Sequence, residues 1–177
     1  MSLLKSEKDG SNKFWLFKCG EGFKNGQNWS SYSQSYTGKF TINNNYIMLS
    51  SSSSGTSGTY NPTGRFRSAI DFTDYERLHF VISSSGGDLL IKISNSTGND
   101  YYDYSSIYST YRLRFAQGVY FISQDGSLDS IPLLNKGLSI VDNHIIIDIR
   151  SYKGSYYLKL FGIGSSQNNV ITDIWLD

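Results

Sequence analysis

Apolar and polar residues alternate with a period of two along much of the chain. From Arg65 to Phe72, the residues Phe66, Ser68, Ile70 and Phe72 interleave with Arg65, Arg67, Ala69 and Asp71, which sets the aromatic side chains on one side of an extended strand. Leu78, Phe80 and Ile82 oppose Arg77, His79 and Val81 in the same way. Leu89, Ile91 and Ile93 oppose Leu90, Lys92 and Ser94, and Tyr111, Leu113 and Phe115 oppose Arg112 and Arg114. Each run predicts a strand with a dry face and a wet one. Further strands are expected at Phe14 to Lys18, Lys39 to Ile42, Tyr46 to Ser50, Val119 to Gln124, His144 to Arg150, Tyr156 to Ile163 and Val170 to Leu176, about ten in all by this reading of the periodicity.

Between the runs lie clusters of Gly, Ser, Asn and Asp: Ser50 to Gly58, Ser83 to Asp88, Asn95 to Asp100, Gln124 to Ser130 and Gly162 to Asn169. These are turn-forming compositions. No window carries apolar positions at helical spacing with a cap, and the strands follow each other too closely for helical crossovers, so the pairing is expected to be antiparallel. Many short half-polar strands in one chain predict an all-β fold: a two-sheet antiparallel β-sandwich of jelly-roll type with almost no helix. The serine-rich stretch Ser50 to Gly58 is read as a loop or strand edge within one domain, because too few residues precede it to build a separate core.

The length of 177 residues and the 38% hydrophobic content suit a single core, and residues 14–177 are taken as one domain preceded by a flexible segment or cloning remnant at 1–13. The 14 Tyr, 10 Phe and 3 Trp, with 17 Gly and only two Pro, favour pleated strands joined by polar turns over helices. A net charge of +1 provides no chain-wide field for phosphate backbones or anionic lipid, so neither nucleic acid nor membrane is an expected partner. Cys19, the single cysteine, has no partner thiol for an intrachain disulfide.

Candidate chemistry is sparse. The segment Asn99 to Tyr108 is dense in tyrosine and acid, with Tyr101, Tyr102, Asp103, Tyr104 and Tyr108 followed by Tyr111. Flat aromatic faces against the C–H face of a sugar ring, flanked by groups that bond its hydroxyls, are what carbohydrate recognition requires. The same tyrosines also suit an ordinary strand with one row in the core. Trp29, in what reads as a loop to Tyr36, is a second aromatic candidate or a plug for the core. Arg65 and Arg67, on the side away from Phe66, are candidates for a charged glycan or for balancing acids across the sheet. Asp71 and Asp74 are weak candidates for a structural Ca²⁺, with a polar turn the stronger reading. No other cofactor is expected. His79 and His144 lack a neighbouring nucleophile motif, and no spacing sets any two of Glu21, Glu76, Asp100 and Asp103 across a cleft, so no catalytic residue is assigned and the chain is read as non-enzymatic.

The opening Phe14-Trp15-Leu16-Phe17-Lys18-Cys19-Gly20-Glu21, then Trp29, then Arg67 through Leu78, together with Ile147 through Tyr157 and the closing Ile174-Trp175-Leu176, resembles a module of tail proteins from phages and prophages of Gram-positive bacteria. Cys19 and Phe23-Lys24-Asn25 stand where that module more usually has Asp and Gly-Gly. The resemblance implies a galactose-binding-like or carbohydrate-module-like jelly roll on a virion tail or extracellular surface. It further implies a cell-surface glycan as ligand, other tail or fibre subunits as partners, and a homo-oligomer in the parent assembly. The competing expectation is a structural or oligomerisation domain with no glycan ligand.

Overall fold

The computed structural model describes residues 12–33, 38–51, 63–84, 88–95, 97, 109–116, 119–123, 138–141, 143–163 and 167–177. Among them regular structure is entirely extended, in fifteen strands numbered along the chain. One sheet holds β1 (Phe14–Lys18), β2 (Gly22–Phe23), β4 (Gly38–Ile42), β5 (Ile47–Ser51), β8 (Arg77–Ser84), β12 (Leu138–Val141), β13 (His144–Asp148) and β15 (Gln167–Leu176). The other holds β3 (Trp29–Ser33), β6 (Thr63–Phe66), β7 (Ile70–Asp71), β9 (Asp88–Ser94), β10 (Ser109–Ala116), β11 (Val119–Ser123) and β14 (Ser155–Ile163). The first runs β12-β13-β8-β15-β1-β2, with β5 on the early half of β15 and β4 on β5; the second runs β11-β10-β9-β14-β6-β3, with β7 on the start of β14. Every pairing is antiparallel. The fold is the expected two-sheet β-sandwich.

The alternation in the sequence explains the packing directly. Leu78, Phe80, Ile82, Ile171, Ile174 and Leu176 from the larger sheet meet Phe66, Leu89, Ile91, Ile93, Leu158 and Leu160 from the smaller one in a single buried cluster. Removing each such side chain from water contributes about 1.5–3 kcal/mol, which drives the two dry faces together. Aromatic rings close one margin of the sandwich. Phe23 meets Phe66 edge to face at 5.6 Å between centroids, and Trp29 lies 4.8 Å from Phe40 and 5.6 Å from Phe66. The indole of Trp29 crosses β6 at Gly64, where a Cβ would run into the ring, so only glycine leaves room for it.

Two expectations require correction. Trp29 to Tyr36 is not simply a loop, because Trp29–Ser33 pairs with β6 as β3. Its serines hide the strand from any hydrophobic pattern. The run Arg65 to Phe72 is not one strand either. β6 pairs with Lys159 to Phe161 of β14 and β7 with Ser155 and Tyr156, while Arg67 to Ala69 loop out between them, exposed. The Arg67 N–H is taken by the carbonyl of Asn28 at 2.8 Å instead of by the ladder. No described helix is long and apolar enough to cross a membrane.

Candidate ligand-binding face

Strand alternation leaves a polar outer face on the seven-stranded sheet. Since Leu89, Ile91, Ile93, Leu158 and Leu160 turn into the core, Lys92 and Ser94 on β9 and Tyr157 and Lys159 on β14 fall on the opposite side. The register sets Ser30, Arg65, Lys159 and Lys92 side by side across β3, β6, β14 and β9, with Thr110 of β10 next in line. The row thus has three neighbouring cations. Lys92 and Lys159 retain only 3% and 1% of their surface in water and have interaction partners within the chain. A buried ammonium is tolerated only when it is paired and hydrogen-bonded, so these lysines are fixed parts of the face rather than mobile surface charges.

Arg65 is the half-exposed member of the row. Its guanidinium carbon lies 4.8 Å from the centroid of the Tyr157 ring, and Nη1 donates to the carbonyls of Phe66 at 3.1 Å and Arg67 at 2.7 Å. This holds a planar cation over an aromatic ring, an arrangement favoured by the ring quadrupole. Tyr157 itself pairs with Ser94. The chain between β9 and β10 leaves and re-enters the sheet here, because Ile93 is opposite Ser109 and Ser94 opposite Tyr157. That connection contains the tyrosine-rich segment. Tyr101, Tyr102, Asp103, Tyr104 and Tyr108 lie outside the described residues, whereas Tyr111 takes the register position opposite core-facing Ile91.

The remaining candidates disperse. Trp29 is half buried against Phe40 and Phe66, on the core side of β3, with its Nε1 enclosed and without a hydrogen-bond partner. Arg67 is exposed in the turn beyond β6. Asp71 lies in a turn in which its Oδ1 accepts the Thr73 N–H at 3.0 Å, and the Tyr75 N–H bonds the Phe72 carbonyl at 3.1 Å. Hydrogen bonds from the Thr73 side chain and backbone hold the Asp71 carboxyl below its ordinary range. The Thr73 hydroxyl accepts the Gly154 N–H, and Lys153 Nζ donates to the Thr73 carbonyl, each at 3.0 Å. This is the polar turn reading of Asp71 and Asp74, and among the described residues no three His, Cys, Asp or Glu side chains gather as metal ligands.

A second constellation, on the outer face of the eight-stranded sheet, was not singled out by sequence pattern. Trp15, Trp175 and His79 are cross-strand neighbours on β1, β15 and β8. His79 stacks on Trp175 with centroids 4.6 Å apart and planes 5° off parallel, and Trp15 meets Trp175 at 5.2 Å. His79 Nδ1 is 2.9 Å from His144 Nε2, and His79 Nε2 is 3.1 Å from Asp177 Oδ1. The latter contact is within ion-pair distance but poorly aligned for a hydrogen bond. Asp177 also receives two bonds from Arg77, from Nε at 2.8 Å and Nη2 at 3.1 Å. Lys13 Nζ sits 4.4 Å from the Trp175 ring centroid. Burial, opposed in part by Asp177, pushes the His79 pKa down. Burial and then the neighbouring His79 and Lys13 push His144 down. Burial raises Asp177, but His79 and Arg77 outweigh it and hold the carboxyl below its ordinary range. Near neutral pH the pair is therefore uncharged, with one imidazole N–H donated to the other ring's lone pair. The two rings, Trp175 and Asp177 thus form a packed polar network on this face.

Comparison of the chain with protein-family models and with curated proteins finds no match.

Lys92, Lys159 and Tyr157 are the elements of the first face that pattern reading missed. Their signal was present as polar residues at the wet positions of two strongly alternating runs, but only the register places them beside Arg65.

Proposed function

We propose that the chain is a non-catalytic carbohydrate-binding module that recognises a cell-surface glycan, built on a jelly-roll form of the sandwich and carried by a phage or prophage tail or fibre protein. The observation that carries this reading is Arg65 held over the Tyr157 ring on the polar outer face of the seven-stranded sheet, beside the point where the tyrosine-rich connection is anchored. An aromatic ring, a fixed guanidinium and hydroxyl-bearing side chains are the elements that grip a sugar ring and its hydroxyls. The resemblance of the opening, central and closing segments to tail modules supports the same reading and supplies the biological setting.

A single site of this kind binds weakly, because sugar hydroxyls exchange water bonds for protein bonds of similar strength. The expected affinity is near millimolar, about −4 kcal/mol, with avidity coming from several copies on one tail. Multivalent display of the protein on a glycan array and on Gram-positive cells tests the reading. Binding that is lost on Tyr102→Ala or Tyr104→Ala with an unchanged melting midpoint supports it. Silence at high display density, with self-association in solution, favours the oligomerisation domain instead.

A further inference from the structure

We infer that the β12–β13 pair is an acid-released edge of the eight-stranded sheet, held shut by the contact between His79 of β8 and His144 of β13. Among the described strands β12 bonds only to β13, so the pair joins the sheet through the ladder from His144 opposite Val81 to Asp148 opposite Arg77. The Ile82 N–H on the Asn143 carbonyl closes one end of that ladder, and the Ile149 N–H on the Glu76 carbonyl closes the other, each at 2.9 Å. On the core side, Ile145 and Ile147 are buried. On the outer side a histidine meets a histidine across the two strands, with His79 Nδ1 2.9 Å from His144 Nε2. His79 keeps only 4% of its surface in water, and both rings lie against Trp175.

The contact holds one proton between the two facing nitrogens, one donating its N–H and the other accepting. A first added proton has a partner, because Asp177 Oδ1 lies 3.1 Å from His79 Nε2 and places a carboxylate against the imidazolium. A second proton leaves no acceptor. Both facing nitrogens then carry N–H groups, which cannot share 2.9 Å, and two cations stand on adjacent strands in a poorly hydrated place. The other charged groups nearby do not relieve them. Lys13, whose Nζ is 4.4 Å from the Trp175 ring centroid, adds a cation, and Arg77 on β8 is engaged by Asp177. Lys18 on β1 pairs with Glu21, Asp148 on β13 accepts from Arg150, and Asp173 on β15 accepts the Cys19 N–H. β12 carries no titratable residue. Burial of both rings, with His79 and Lys13 also acting on His144, makes the pair take up its protons below the ordinary 6.5. Parting the rings lets water solvate both cations, and it requires breaking only the ladder between β13 and β8, at the margin of the sheet.

The experiment is amide hydrogen exchange on the intact chain at pH 7.5 and pH 5, corrected for the intrinsic dependence of exchange on pH. Opening of the β12 and β13 amides, and of the Ile82 N–H that faces them, is expected to rise about tenfold or more at the lower pH, while β9 and β14 change by less than about twofold. His144→Gln, which keeps a neutral hydrogen-bonding side chain on β13, is expected to remove most of that rise. A parallel titration of the imidazole nitrogens by nuclear magnetic resonance should show the pair taking up protons in two separated steps, with the edge opening on the second. If His144→Gln fails to fold, this wild-type titration decides. An equal loss of protection in every strand would overturn the inference, because the response would then belong to the whole sandwich. No rise in β12 and β13, a rise that persists in His144→Gln, or two histidines that titrate independently near 6.5 would overturn it as well.

Discussion

The two outer faces of the sandwich handle polar groups in different ways. On the eight-stranded sheet, the charges around Trp175 meet named partners: Asp177 receives Arg77 and lies against His79, the two histidines share a hydrogen bond, and Lys13 rests on Trp175. On the seven-stranded sheet, three cations stand in adjacent strands with Tyr157 beside them. The first arrangement packs its charges around stacked rings. The second buries two ammonium groups that have partners within the chain and leaves Arg65 half exposed over Tyr157.

Removing Trp175 should produce the largest effect. Its ring is 6% exposed and contacts Trp15, His79 and His144, so Trp175→Ala should cost about 3–5 kcal/mol by denaturant unfolding, as for a buried aromatic. A loss below about 1 kcal/mol, the size seen for surface substitutions, would mean this face is not the structural one.

Lys159→Met tests the other face. Replacing this fully buried ammonium, which has interaction partners within the chain, by an apolar side chain of similar length leaves those partners unanswered and is expected to cost about 1–3 kcal/mol by denaturant unfolding. An unchanged or raised midpoint of unfolding would mean that the partners of this ammonium contribute nothing to the fold.

Acidification should separate the faces with a smaller effect. The folded-state pKa values of His79 and His144 lie below the ordinary 6.5, so the unfolded chain takes up protons first as pH falls. Stability contributed by the neutral pair is therefore full above pH 6.5 and declines below it. Asp177, depressed from 3.8, adds a further loss only at stronger acid. Thermal melts from pH 7.5 to 5 should show the first decline in the wild type and a flatter profile in His144→Gln. A midpoint that rises on acidification would contradict the assignment.

Much of the fold was legible in the sequence, because burial of alternate residues is a local pattern. Leu78, Phe80 and Ile82, and Leu89, Ile91 and Ile93, are all buried as their spacing predicts. Strands that do not bury alternate side chains left no such trace. Trp29–Ser33 is held by pairing with β6 and carries serines, so periodicity could not mark it. The break between β6 and β7 was equally silent, since Arg67 to Ala69 continue the alternation in sequence while leaving the ladder in space. The candidate site was legible only in part. Arg65 was found from its position opposite Phe66, but its alignment with Lys159 and Lys92 is a property of register between distant strands. The contact between His79 and His144 joins residues 65 positions apart and was invisible for the same reason.

Mapping amide and side-chain resonances while a Gram-positive cell-surface oligosaccharide is titrated into the labelled chain tests the central claim most directly. Shifts confined to Arg65, Tyr157 and Ser94 and their neighbours on the seven-stranded sheet, with Trp15, His144 and Trp175 unmoved, are the expected result. Shifts centred on the tryptophan and histidine face, with Arg65 and Tyr157 unmoved at saturation, would contradict it.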